Sequence, residues 1–245
     1  LFRSFGFNKI AFIHQDVSWA TGVSAICGGA LEKAGWEVVA KEAIPAGTTD
    51  FTVALTKAKE AGAQVLGLMF DMPEVANLIN QYAEMEYPGI AAGVIGPLLD
   101  PSNWDQYDGK IEGVITHVCE AGVFPVPSMP KSVKFFDDYT ARFGHEPEGI
   151  AGMSPSYDTV YIFKDAIERA GSTDPDALVV AIEQTDMQGV IGRIRFNEGH
   201  NVVYGDDPTQ EALGMMIQWQ APGVRKIVGP ATIAEAGIVL PPWMR

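Results

Sequence analysis

Five short apolar runs alternate with helical stretches over the first 120 residues, and then the alternation stops. That change of rhythm constrains the fold more than any other feature. "KIAFIH" (9–14), "EVVAKEAI" (37–44), "QVLGLMF" (64–70), "IAAGVIG" (90–96) and "EGVITHV" (112–118) read as strands. Val23, Ile26, Cys27, Ala30, Leu31 and Ala34 between the first two share one helix face, and Gly35 ends that helix. Asp50 is placed to cap a helix over 51–62, with Phe51, Leu55 and Ala58 on one face. A third helix follows Pro73, with Val75, Leu78, Ile79 and Tyr82 turned inward. The third run is almost continuously apolar, as expected of a strand buried on both faces. Strands alternating with helices of this length imply an α/β fold with a parallel, doubly wound sheet.

Beyond residue 120 the order differs. Residues 132–144 read as a helix, and 146–156, rich in Gly, Pro and Ser, as a crossing or linker. Two helices follow at about 157–170 and 175–185 with no strand between them. "GVIGRIRFNEGHN" (189–201) reads as a strand with a turn, and 214–230 as a hairpin turning at Pro222-Gly223. The tail "LPPWMR" is expected to be irregular. Residues 150–212 therefore make an incomplete second unit: two helices and one strand do not close a core.

The whole chain of 245 residues carries a formal net charge of −14 and is 47% hydrophobic. An acidic surface repels phosphate backbones and anionic headgroups, so nucleic acid and direct membrane insertion are not expected partners. No run approaches the roughly 20 apolar residues of a membrane span. Cys27 and Cys119 are expected to be free, largely buried thiols.

Ligands of doubly wound sheets bind beyond the carboxyl ends of the strands. The first exit, "HQDVSWATG", holds neither a dinucleotide-binding glycine pattern nor a phosphate loop. The four histidines lack metal-site spacing, and no nucleophile elbow is present. No catalytic residue, metal or cofactor is expected. The exits instead carry Trp19, then Phe70, Asp71 and Met72, then Leu98, Leu99 and Asp100. Apolar walls with a few polar groups suit recognition of a small molecule, and a carboxylate there can receive an ammonium or a hydroxyl. Two structural readings stand beside this one. Trp19 can pack on its own sheet at the helix start, and Asp71 and Asp100 can cap helices.

The order and spacing of "KIAFIHQDVSWATG", "TTDFTVALTKAKEAGAQVLGL", "IEGVITHV", "FFDDYTARFGHEP", "SYDTVYIFKDAIERAG" and "GVIGRIRFNEGHN" leading to "MIQWQ" resemble a known family. It is that of type I periplasmic substrate-binding proteins of ABC importers, of the branched-chain amino acid-binding kind, over their C-terminal two-thirds. The resemblance implies two α/β lobes that close on a ligand. Residues 1–148 and 214–245 would form lobe two, and 150–212 the returning part of lobe one, whose N-terminal portion would precede Leu1. It implies a cleft aromatic at Trp19, where the family usually has Tyr-Gly and this chain has Trp19-Ala20. It places further contacts near Asp71 or Met72 and near Leu98 to Asp100, and one at Met153. The family's acid for the ligand amine falls near Leu98, where this chain has no acid, with Asp100 two positions on.

The function expected from the resemblance is that of an extracytoplasmic solute-binding protein, periplasmic or anchored at the cell surface. It would be a monomer that captures a small amino-acid-like or amphipathic organic ligand and delivers it to an ABC permease. The alternatives are a sensor domain of the same fold, or a flavodoxin- or Rossmann-like enzyme.

Overall fold

The computed structural model describes residues 1–100, 102–118, 124–147 and 153–245. Cys119 lies outside them, and so do residues 148–152 of the crossing or linker expected over 146–156. The first 118 residues contain β1 (Lys9–Gln15), α1 (Ser18–Lys33), β2 (Glu37–Ile44), α2 (Thr52–Glu60), β3 (Val65–Phe70), α3 (Val75–Glu84), β4 (Ile90–Ile95), α4 (Asn103–Gln106) and β5 (Ile115–Val118). Then come α5 (Pro130–Phe143), α6 (Met153–Ala170) and α7 (Pro175–Glu183). The strands β6 (Asp186–Gly189), β7 (Gly192–Arg195), β8 (Tyr204–Gly205), β9 (Ala212–Leu213), β10 (Met215–Ala221) and β11 (Val224–Gly229) follow. Every expected strand and helix exists, with ends shifted by a few residues. The expected strand near 189–201 is the antiparallel pair β6–β7, joined through Val190 and Ile191.

A seven-stranded sheet has the order β11-β10-β5-β4-β3-β1-β2. β1 pairs in parallel with both β2 and β3, and β3 pairs in parallel with β4. Side-chain alternation divides the buried residues between the two faces. Ala11, Ile13, Leu66, Leu68 and Phe70 join one core with Phe51, Leu55, Leu78, Ile79, Tyr82, Tyr87 and Trp219. Ile10, Phe12, Val65 and Met69 join another, against which Trp19, Val23, Cys27 and Leu31 pack. The buried tyrosines keep their hydroxyls bonded: Tyr82 Oη donates to Gly89 O at 2.8 Å and Tyr87 Oη to Ala63 O at 3.0 Å. Gly93 is indispensable, because a Cβ there would overlap the Leu68 carbonyl.

One expected face is wrong in part. Ile26 is 75% exposed, and Ala30 and Ala34 are also exposed. The buried row of α1 is Ala20, Ser24 and Gly28. Small residues let the helix sit close to the sheet; a Cβ on Gly28 would lie 3.5 Å from the Phe12 ring. Counting apolar residues selected the flank of that row rather than its centre. Cys27 is only partly buried, and desolvation pushes its thiol pKa up.

Contacts divide the chain into two compact units. The first comprises 1–117, 216–228 and 235–245; the second comprises 118–215 and 229–234. The first holds the parallel sheet. The second holds α5, α6, α7 and a four-stranded sheet of order β6-β7-β9-β8. The sequence reading grouped α5 with the first unit; in the structure it belongs with the second. Within the second unit, Phe135, Phe136 and Val190 form one cluster, and Ile162, Ile191, Ile194 and Ala212 another. The outer side of α6 and α7 exposes Val160, Phe163, Ile167, Val179 and Val180. Among the described residues, no helix is long and apolar enough to cross a membrane.

Candidate functional site

β1 is the strand at which the winding of the sheet reverses: β2 lies on one side of it and β3 on the other. The crevice at such a reversal opens beyond the carboxyl ends of the two strands. Those ends are Gln15 on β1 and Phe70 on β3, and β4 lies next along the edge.

The edge is built as follows. Gln15 ends β1 and is only 1% exposed. Its Nε2 donates to Asp71 Oδ1 at 2.5 Å, while the Asp71 N–H donates to Gln15 Oε1 at 3.1 Å. The amide thus adds one rung to the β1–β3 ladder by side chain. Asp71 is otherwise exposed. It caps no helix, since α3 begins at Val75 with no side-chain cap. Trp19, second residue of α1, is half-buried and packs against the core cluster beneath that helix. Met72 is half-buried at the same exit.

The other candidates fall elsewhere. Phe70 is buried and packs edge-on against Phe51, with ring centroids 6.1 Å apart. Leu98 is buried in the same core, and its carbonyl accepts from Trp219 Nε1 at 3.1 Å. The Leu99 carbonyl accepts from Arg225 Nη1 at 2.7 Å. Asp100 is half-buried; its Oδ1 accepts from the Ser102 N–H at 2.8 Å and the Ser102 hydroxyl at 2.6 Å. That carboxylate shapes the turn ahead of α4 but caps no helix, since α4 begins after Ser102 with no side-chain cap. Met153 opens α6 in the second unit, and its side chain lies outside the described residues. The first unit therefore brings Trp19, Asp71, Met72 and Asp100 to the exits of β1, β3 and β4. It places Phe70 and Leu98 in the core below.

The edge is acidic. Residues 15–19, 70–74 and 96–100 contain Asp16, Asp71, Glu74 and Asp100 and no lysine or arginine. His117, near the end of β5, has its pKa lowered by desolvation, which favours the neutral ring. Among the described residues, no group of three or more His, Cys, Asp or Glu is placed to hold a metal ion. Gln15 was missed by sequence reasoning. Its one signal is a polar residue closing an otherwise apolar strand.

The model of one protein family, described as periplasmic binding protein, matches residues 1–206. The chain belongs to the periplasmic binding protein family. A leucine-, isoleucine-, valine-, threonine- and alanine-binding protein of Pseudomonas aeruginosa is 25% identical over 193 residues, covering 77% of this chain and 49% of that protein. This chain thus spans about half the length of that curated relative. Among solved structures, one from Silicibacter pomeroyi, assigned to a branched-chain amino acid ABC transporter, superposes with a TM-score of 0.85. It is 18% identical and covers 99% of this chain and 64% of that one. A solute-binding protein of R. palustris in complex with benzoate gives a TM-score of 0.70 at 16% identity, covering 97% of this chain and 61% of that one. At such identities the superpositions establish the shared fold.

Proposed function

We propose that this chain is part of an extracytoplasmic solute-binding protein that captures a small organic molecule and delivers it to an ABC permease. It acts as a monomer in the periplasm or at the cell surface, without catalysis or cofactor. The first unit corresponds to most of lobe two and the second to the returning part of lobe one. The ligand is amino-acid-like or an amphipathic, aromatic-containing molecule. It sits at the strand exits of the first unit, with Trp19 and Met72 as apolar wall and Asp71 and Asp100 as polar groups. The supporting observation is the place of this set: an aromatic and one carboxylate at the winding reversal of a parallel sheet, where such folds bind ligands, with a second carboxylate at the neighbouring strand exit. The curated relative's amino acid ligands and the benzoate of the R. palustris protein define the two chemical classes to compare.

The test is calorimetric titration of the whole protein of which this chain is part with L-leucine, L-phenylalanine, their des-amino acids and benzoate. Saturable one-to-one binding of at least one, weakened by Trp19→Ala, is the expected result. Binding of none, or binding indifferent to Trp19, would sink the proposal.

A further inference from the structure

We infer that Trp219 and Arg225 are positioning residues for the ligand site: from the hairpin β10–β11 they fix the direction in which the turn at the exit of β4 presents Asp100. The inference rests on the solute-binding reading above and adds to that site two residues that act on it through the turn.

The pairing of β3 with β4 ends at Phe70 and Ile95. Beyond Ile95 the chain makes one 3-10 turn, Gly96–Leu99, with no side-chain cap, and straightens at Asp100, whose φ and ψ are −72° and 134°. The last carbonyls of a helical turn have no partner inside it. Leu98 and Leu99 are both buried, so their carbonyls need partners from the protein. Side chains supply them. Asn103 Nδ2 donates to Pro97 O at 2.7 Å and to Asp100 O at 2.9 Å. Trp219 Nε1 donates to Leu98 O at 3.1 Å, and Arg225 Nη1 to Leu99 O at 2.7 Å. Four consecutive carbonyls, Pro97 to Asp100, are thus held by three side chains.

These donors differ in origin. Asn103 lies three residues past Asp100 and closes the turn on itself, whichever way the turn leans. Trp219 and Arg225 are 121 and 126 residues away in sequence from the carbonyls they hold. They lie on β10 and β11, beyond β5 in the sheet, and tie the turn to the sheet from outside. Their own placement is firm. Trp219 is 1% exposed, its ring lies 6.1 Å from that of Trp104, and its carbonyl accepts from the Gly113 N–H at 2.8 Å. The Arg225 guanidinium stands over the Trp219 ring, 5.4 Å from its centroid, which holds the two donors as one unit. Packing alone would accept any large apolar ring at this position; what sets tryptophan apart is an N–H aimed at Leu98 O. Asp100 follows Leu99 directly, and its Oδ1 is bonded to Ser102 within the same segment. The carboxylate therefore goes where the turn goes, and Trp219 and Arg225 decide where that is.

The experiment titrates the whole protein of which this chain is part with L-leucine, L-phenylalanine and benzoate by calorimetry, and melts the same samples. Trp219→Phe keeps an aromatic ring in the core and removes the donor to Leu98 O. Arg225→Met keeps a long side chain and removes the donor to Leu99 O. Each is expected to weaken the best probe about three- to tenfold, the scale of one hydrogen bond, at a temperature where the variant is fully folded. Amide exchange at Leu98 to Asp100 should quicken in both. Lys226→Met, on the same strand but at a lysine paired with Glu235 at 3.1 Å, should change neither affinity nor that exchange. A lowered melting temperature with wild-type affinity in Trp219→Phe and Arg225→Met makes both residues structural only and overturns the inference. An equal loss of affinity in Lys226→Met traces the effect to the hairpin as a whole and also overturns it. If Trp219→Phe folds poorly, Arg225→Met, at a half-buried position on the outermost strand, decides alone. Binding that is weakened by Trp19→Ala but by neither of the two variants overturns this inference and leaves the solute-binding reading standing; binding of no probe by wild type overturns both.

Discussion

Replacing Asp158 with Ala isolates one buried carboxylate that organises the second unit. Asp158 lies on α6 and is 1% exposed. Its Oδ2 accepts from the Val190 N–H at 2.7 Å and, more weakly, from the Ile191 N–H at 3.4 Å. It therefore holds the connection between β6 and β7 against α6. Lys131 Nζ stands 3.9 Å from Oδ1 but donates instead to Gln188 O at 2.7 Å. Gly189 fits beneath only because it lacks a side chain: a Cβ would lie 2.5 Å from Oδ2. Truncation leaves the buried Val190 N–H without an acceptor, which costs about 1–3 kcal/mol. The lost attraction to the partly exposed Lys131 adds little. Relief of the carboxylate's desolvation works the other way. The expected net loss is about 2 kcal/mol, or about 4–8 °C in melting temperature for a chain of this size. Asp158→Asn keeps an oxygen for Val190 and should lose less than about 1 kcal/mol.

The same site has a sign that can be checked. Burial raises the Asp158 pKa above its ordinary 3.8, so in the window between that value and the folded pKa the folded state binds more protons than the unfolded one. Wild type should then gain stability relative to Asp158→Asn as the pH falls through that window. Urea unfolding followed by far-UV circular dichroism reads the stability, and amide exchange at Val190 reads the local bond. All five tryptophans lie in the first unit, so their fluorescence reports on that unit and not on this site. An Ala variant within 0.5 kcal/mol of wild type with unchanged Val190 protection, or a pH trend of opposite sign, would refute the reasoning.

Two further outcomes are expected. Trp19→Ala should weaken binding of the best probe by about 2–4 kcal/mol, or about 30- to 1000-fold, yet cost only about 1–2 kcal/mol of stability because the side chain is half-buried; melting and titration on the same variant check this, and intact affinity with a core-sized stability loss would contradict it. The exposed apolar side of α6 and α7 should bind a hydrophobic dye, and Val160→Ser with Phe163→Ser should remove most of that signal while changing stability by no more than about 0.5 kcal/mol, as both side chains are exposed.

The sheet was legible because its signals are local. Apolar runs of strand length, glycines at helix ends and the inward set Val75, Leu78, Ile79 and Tyr82, all of which are buried, carry their own periodicity. The α1 face was less legible, since the closest row, Ala20, Ser24 and Gly28, is defined by small volume rather than hydropathy. Phe70 and Leu98 show the same limit at the strand exits. An apolar residue at a strand end can be the last one inside the core or the first one outside. Only its neighbours decide, as Phe51 does for Phe70 and Trp219 for Leu98.

Asp71 and Asp100 show why site chemistry is harder to read than fold. Both are aspartates at the exit of a parallel strand, just ahead of a helix, and in sequence both suit capping equally well. Asp100 shapes the turn ahead of α4, because Ser102, two residues on, supplies an N–H and a hydroxyl. Asp71 has Pro73 at the equivalent distance, and proline has no N–H to give. With no local donor two residues on, its carboxylate turns to a partner across the sheet, and the strand order puts Gln15 within reach. The difference between a carboxylate bonded within its own turn and one bonded across the sheet was therefore partly written in the identity of the residue two places downstream. What the sequence lacked was the pairing of β1 with β3, which turns a polar strand end into a support for the charge beside it.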